Sequence, residues 1–318
     1  MMLPKPVSLF RSISFVFALL LCNIVTVHGA DASMIQPDTT APATRKWIAA
    51  GGTTLVMGGA LLLFVQSSEY KYTSKFHVDR GGLDYLGMDK MLHGQLSYTT
   101  ARLLHGTLNW AGVNEKKSIW VAAGGSLLFM TAKELIDAHN PRWGWGWADV
   151  GANIGGTAFW AAQQWGWGEQ KLQLKFSGVP RSYTDKQVDE QISILFGSGA
   201  ERAIKDYNQQ TFWLSANLHS LGAQGLPRWL NLAVGMGGEH LYGQKENIRK
   251  DRTGAIVFDR RNLPRRRQWY LAPDIDLTKI PTNSKFLRTA FFVLNTIKVP
   301  LPGLELTDGK LKVKALAF

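Results

Sequence analysis

The stretch WIAAGGTTLVMGGALLLFV, Trp47 to Val65, carries no charged side chain over 19 residues. That is close to the ~20 residues a helix needs to cross the hydrocarbon core of a bilayer. Such a segment either spans a membrane or lies buried inside a helical bundle. The spanning helix is the first expectation and the buried helix the alternative.

Three more helical segments follow, Met88–Trp110, Glu115–His139 and Trp147–Trp165, with Gly, Asn and Pro marking the gaps. The Glu115 segment has only 14 uncharged residues in a row, Ile119 to Ala132, short for a span. The expected architecture is therefore mainly α: a bundle of about four apolar helices over residues 45–167, embedded in or lying against a membrane. An internal echo fits this. WIAAGGTTLVM from Trp47 resembles WVAAGGSLLFM from Trp120, and each holds a Gly-Gly pair that would let a neighbouring helix approach closely. Chance similarity between two apolar helices is the other explanation.

The start of the chain reads as an export signal. Lys5 and Arg11 form a basic region, Ile13 to Val27 is apolar, and small residues follow in VHGADAS. Cleavage after Gly29 or Ala32 is expected, with an uncleaved anchor as the alternative. Export argues against nucleic acid as a partner. Cys22 is the single cysteine, and Leu21 stands before it where a lipid-attachment signal wants a small residue. The exported chain then has no cysteine, which excludes disulfides and thiol chemistry. The expected division is a signal over 1–32, a Pro-containing linker over 33–44, a helical membrane-associated bundle over 45–169 and a basic α+β region over 170–318.

Beyond Glu169 the chain carries 23 of its 36 Lys and Arg but 13 of its 24 Asp and Glu, so this part holds +10 of the net charge of +12. QWYLAPDIDLTKI and GKLKVKALAF read as strands. NSKFLRTAFFVLNTI has a helical apolar stripe, with Asn283 or Ser284 to cap it. Gln191 to Gln244 is rich in Gly and Leu and gives no clear period. The terminal Phe318 fits the end of an outer-membrane barrel chain. Lys314, however, stands where an apolar residue is expected and the strands are too few, so no barrel is expected.

Polar groups recur on the helices. Asp89 and His93 share one face, with Lys90 beside them; Glu134 and Asp137 share another; Asp149 and Asn153 share a third. Burying such groups alone is costly, so they should meet. Trp143, Trp145 and Trp147 in or beside the connecting loop suggest that the meeting point lies near a membrane face. A structural ion network is one reading. A catalytic pocket is another, with His93, Glu134, Asp137 and Asp149 as acid, base or orienting groups and Asp89, Lys90 and Asn153 in support. No organic cofactor is expected. A divalent metal would suit His93, Glu134, Asp137 and Asp149, with His139 as a further ligand, although no tight metal motif is present. GANIGG lacks the setting of a phosphate loop and reads as helix packing. The run RRNLPRRR offers Arg260, Arg261, Arg265, Arg266 and Arg267 to an anionic headgroup, or is a solvated turn. His219, His240 and Trp229 read as structural.

The motifs DKMLHGQLSY, KELIDAH and WADVGANIGG together resemble the YfiM-like family of predicted periplasmic lipoproteins, whose function is unknown. They are more distantly similar to VanZ-like membrane proteins, linked with glycopeptide-antibiotic resistance. The likeness covers about residues 40–170, and the ending from Trp269 looks like longer YfiM-like members. It implies that Asp89, Lys90, His93, Glu134, Asp137, Asp149 and Asn153 are signature positions, and it implies no chemistry.

The expectation is an exported, membrane-associated protein facing the periplasm of a Gram-negative envelope. Membrane lipid or envelope glycan is the expected partner, and the role is binding or organising it. The alternative is a membrane-embedded hydrolase or transferase acting on lipid or cell-wall precursors.

Overall fold

The computed structural model describes residues 40, 42–65, 73–79, 81–199, 202, 205–251 and 253–318. The expected signal, Cys22 and most of the expected linker lie outside these residues.

The four apolar segments form helices close to the expected bounds: α1 Ala43–Val65, α2 Met88–Trp110, α3 Glu115–Asp137 and α4 Trp147–Trp167. Asn114 caps α3 by accepting from the Lys116 amide. α2, α3 and α4 pack as a trio around Tyr98, Ala101, Ile119, Ala122 and Trp160. Where α2 crosses α4, a Cβ on Gly156 would lie 2.1 Å from the Gly94 carbonyl oxygen, so the glycine lets the two backbones touch. GANIGG is thus a packing motif, as expected. In the Gly-Gly echo, Gly51 and Gly124 face open space, while a Cβ on Gly125 would lie 3.0 Å from Leu104 of α2. α1 does not complete a four-helix bundle. Among its residues only Ala49 and Ala60 are buried, and Trp47 is 79% exposed.

The mainly α class is overturned by the chain beyond α4. Helix makes up 46% and strand 23%, a mixed α+β fold. Besides two short pairs, β1 Val78–Asp79 with β2 Trp145–Gly146 and β6 Ile248–Lys250 with β7 Ile256–Asp259, six antiparallel strands make one sheet. They are β3 Leu172–Gly178, β4 Gln210–Asn217, β5 Leu230–Glu239, β8 Arg266–Ile275, β9 Leu301–Thr307 and β10 Lys310–Ala317, in the order β10-β9-β8-β5-β4-β3. Helices α5 Lys186–Phe196 and α6 Lys285–Leu294 flank it, capped by Asp185 and Ser284.

The register sorts the sheet's two faces. One row across five strands reads Leu214, Val234, Leu271, Leu304, Val313. The next row on that face reads Phe212, Met236, Trp269, Leu306, Leu311. The opposite face carries Lys175, Ser215, Asn231, Asp274 and Glu305, all buried. QWYLAPDIDLTKI and GKLKVKALAF hold β8 and β10, as expected, but the alternation hid β5, which reads NLAVGMGGE because its inward positions are Asn231, Ala233, Gly235 and Gly237.

The sheet rolls around its polar face. Its β3 edge reaches residues 296–298, where Phe176 donates to the Thr296 carbonyl and Lys298 donates to the Phe176 carbonyl. The Lys298 ammonium donates to the Ala317 carbonyl of β10, 3.2 Å away, so both edges meet one segment. β10 and β3 do not pair, so the six strands leave an open sheet and make no closed barrel. Lys314 pairs with Glu305 at 2.8 Å.

Candidate functional site

Chain direction assembles the polar cluster. α2 and α4 begin where α3 ends, so the last turn of α3 meets the first turns of the other two. Asp89 and Asp149 stand in the first turns of α2 and α4, where a carboxylate complements the positive helix end. Glu134 and Asp137 stand in the last turn of α3, the unfavourable end for a carboxylate. A cation compensates there. Lys133 lies 2.6 Å from Asp137 and 3.3 Å from Glu134. Just before α2, Tyr85 and Leu86 hold φ of 50° and 58°, strained for non-glycine residues, and Gly87 completes the turn into the helix.

Asp89, Lys90, His93, Glu134, Asp137, Asp149 and Asn153 converge. Lys90 bridges Asp89, at 2.6 Å, and Asp149. His93 is buried, with Nδ1 3.1 Å from the Asn153 amide oxygen and 3.4 Å from Glu134. Its Nε2 lies 3.0 Å from the Lys133 ammonium, 3.6 Å from Asp149 and 3.8 Å from Asp89. These partners assign the tautomer: Nδ1–H donates to Asn153, and Nε2 accepts from Lys133. The Tyr207 hydroxyl donates to Asp89 at 2.8 Å, tying the cluster to the segment that leads into β4. Lys133 and Tyr207 are the members that sequence reasoning missed. Lys133 carried a signal, an i,i+4 pairing with Asp137 inside an apolar helix. Tyr207 carried none.

Other candidates stand apart. His139 is exposed, and its Nδ1 lies 2.8 Å from the Leu135 carbonyl. Atoms of Asp89, His93 and Asp149 lie within 4.8 Å of one another, a spacing that suits a metal. Lys90 and Lys133 already hold these groups. The five arginines do not form one anion site. Arg260 pairs with Asp185 and Arg261 with Asp259. Arg265 donates to the Gln244 and Lys245 carbonyls, Arg266 pairs with Asp308, and Arg267 donates to the Leu86 carbonyl. A second polar knot joins the opposite ends of the trio, where Glu115 accepts from Asn109 and Gln164 and pairs with His105 at 3.0 Å.

Burial, then the Lys133 charge, pushes the His93 imidazole down to about 3 from 6.5. Burial, then the Asp89 carboxylate, pushes Asp149 up to about 6 from 3.8. As pH falls from 6 to 4, unfolded His93 takes up a proton that the folded chain refuses, so stability falls. Over the same range folded Asp149 takes up a proton before the unfolded chain does, so stability rises. The two effects oppose. Replacing Asp149 with Asn removes the second, and the variant should lose ~1.4 kcal/mol more per pH unit than the parent across this window. Denaturant unfolding at pH 6, 5 and 4 measures it; parallel pH dependences would count against a raised Asp149.

Residues 81–163, covering α2, α3 and most of α4, match a family model described as "Predicted periplasmic lipoprotein (DUF2279)". The match covers about a quarter of the chain, is consistent with an exported, periplasmic protein of an uncharacterised family, and carries neither the YfiM-like nor the VanZ-like likeness. Neither a curated protein nor a solved structure matches the chain.

Proposed function

We propose that the protein is a membrane-associated envelope protein that binds and organises lipid through apolar outer surfaces, with the ion cluster as a clamp between its helices. The observation that carries this reading is α1. Its uncharged run is long enough to span a bilayer, and Trp47, Leu55 and Leu62 are 79%, 74% and 61% exposed. An apolar surface of that extent marks a membrane or partner contact rather than a face at rest in water. Lipid is preferred to glycan because the exposed groups are aliphatic side chains and indoles with few hydrogen-bonding atoms.

A hydrolase or transferase at the cluster is the lesser reading. Lys133 holds the Nε2 lone pair that a general base would use, and Lys90 holds Asp89 and Asp149. The five arginines are engaged by protein acceptors, so the lipid contact is read as apolar rather than headgroup-specific.

Vesicle flotation tests the proposal. The full chain, mixed with phosphatidylethanolamine–phosphatidylglycerol vesicles, should rise with them through a density gradient. Placing Asp at both Leu55 and Leu62 should cut the floated fraction at least about tenfold, since each Asp in a membrane costs roughly 2.5–3.5 kcal/mol. A parent chain that stays at the bottom, or a variant that floats as well as the parent, would overturn it.

A further inference from the structure

We infer that the outward face of the rolled sheet is a second lipid-contacting surface, immersed in acyl chains. The inference rests on the membrane reading above and extends it to a part of the chain where the sequence shows no membrane segment.

The first ground is inversion. A sheet folded in water turns its apolar face to the core and its polar face to solvent. Here Lys175 and Asp274 form a 2.8 Å ion pair at 0% exposure on the inner face, and the Lys298 ammonium sits 4.6 Å from the inward Trp213 ring. The outer face meanwhile exposes Leu214, Val234, Trp269, Leu271 and Leu304 at 37–48%. Burying ions while exposing aliphatic rows is favourable only where the surroundings are less polar than the interior. Antiparallel strands of membrane barrels share this alternation of apolar-out and polar-in positions, which the open six-stranded sheet shows on its outward rows.

The second ground is shape. Because the sheet rolls around its polar face, its apolar rows lie on the convex side. Helices α2 and α4 cover Leu174, and α5 covers Phe212, Phe176 and Met236, at the β3 side. The rows continue uncovered across β8, β9 and β10. A convex surface that turns through several strands suits a fluid of acyl chains better than a second copy of the chain, which would cover one sector.

The third ground is height. Outward apolar positions run from Trp269 to Ile275 on β8. Six residue steps at ~3.3 Å give a band of about 20 Å, close to the ~25 Å band of membrane barrels. Charge bounds it on one side, where Arg267 is the next outward residue of β8. The β4–β5 hairpin lies at the other side, with Leu221, Leu226 and Trp229 exposed near its tip.

The single cysteine makes the test direct. In a full-length Cys22→Ser background, Leu271→Cys or Val313→Cys is labelled with an environment-sensitive nitrobenzoxadiazole dye and reconstituted into vesicles of the composition used above. Both positions are exposed, so the substitutions leave the packing intact. The expected result is blue-shifted emission, quenched several-fold more by nitroxide on the lipid acyl chains than by iodide in the water. Preferential quenching by iodide overturns the inference. Protection from both quenchers also overturns it, and points to a protein covering the face. Leu55→Cys on α1 separates the two claims. If its label is quenched from the acyl chains and the sheet labels are not, the sheet inference fails while the membrane reading stands; if no label is quenched from the acyl chains, both fail.

Discussion

Replacing Lys133 with Met should destabilise the protein by about 3–4 kcal/mol, the cost of removing one member of a buried ion group. The side chain is 17% exposed, while its partners Glu134 and Asp137 are 1% and 8% exposed. Without the ammonium, two carboxylates at the negative end of α3 face Asp149 and the His93 ring with one cation fewer. Met keeps the stem's packing, so the loss reports charge rather than volume. The double variant Lys133→Met/Glu134→Gln should recover part of the loss, because one of the uncompensated charges goes with it. Urea unfolding of parent, single and double variants in one detergent measures this. A single variant within 1 kcal/mol of the parent would contradict the clamp.

The second large effect lies inside the sheet. Asp274→Ala strips a fully buried Lys175 of its carboxylate partner and should cost about 3–5 kcal/mol. Asp274 also accepts from the Ser215 hydroxyl at 2.7 Å and the Val299 amide at 3.2 Å. The double variant Lys175→Met/Asp274→Leu removes the lone cation but leaves those donors, each costing roughly 1–3 kcal/mol when buried and unsatisfied. Partial recovery is therefore expected, read from the same unfolding curves. Full recovery would mean that the hydroxyl and amide find other acceptors.

The helical part was legible because α2, α3 and α4 each carry a helical period and recognisable ends, and because buried polar groups must find one another. Convergence of Asp89, His93, Glu134, Asp137, Asp149 and Asn153 follows from that cost alone. Lys133 was overlooked although it stands beside Glu134, because a lysine near a helix end usually snorkels to solvent. In the sheet, β8 and β10 were legible as strands, while β5 was not, for a different reason. Strand reading leans on β-branched and aromatic residues around an apolar core, whereas β5 turns Asn231, Ala233, Gly235 and Gly237 inward and spends its leucines outward. The sequence neighbours from Arg260 to Arg267 disperse over a turn and a strand, and each has its own acceptor in the fold.

Exposed apolar residues on α1 and on the outward face of the sheet are what the proposed lipid contact rests on. Alkaline carbonate extraction of membranes from cells producing the full chain tests this most directly. The chain should remain in the pellet after the wash, as integral proteins do. Its release into the supernatant together with peripheral proteins would contradict the account.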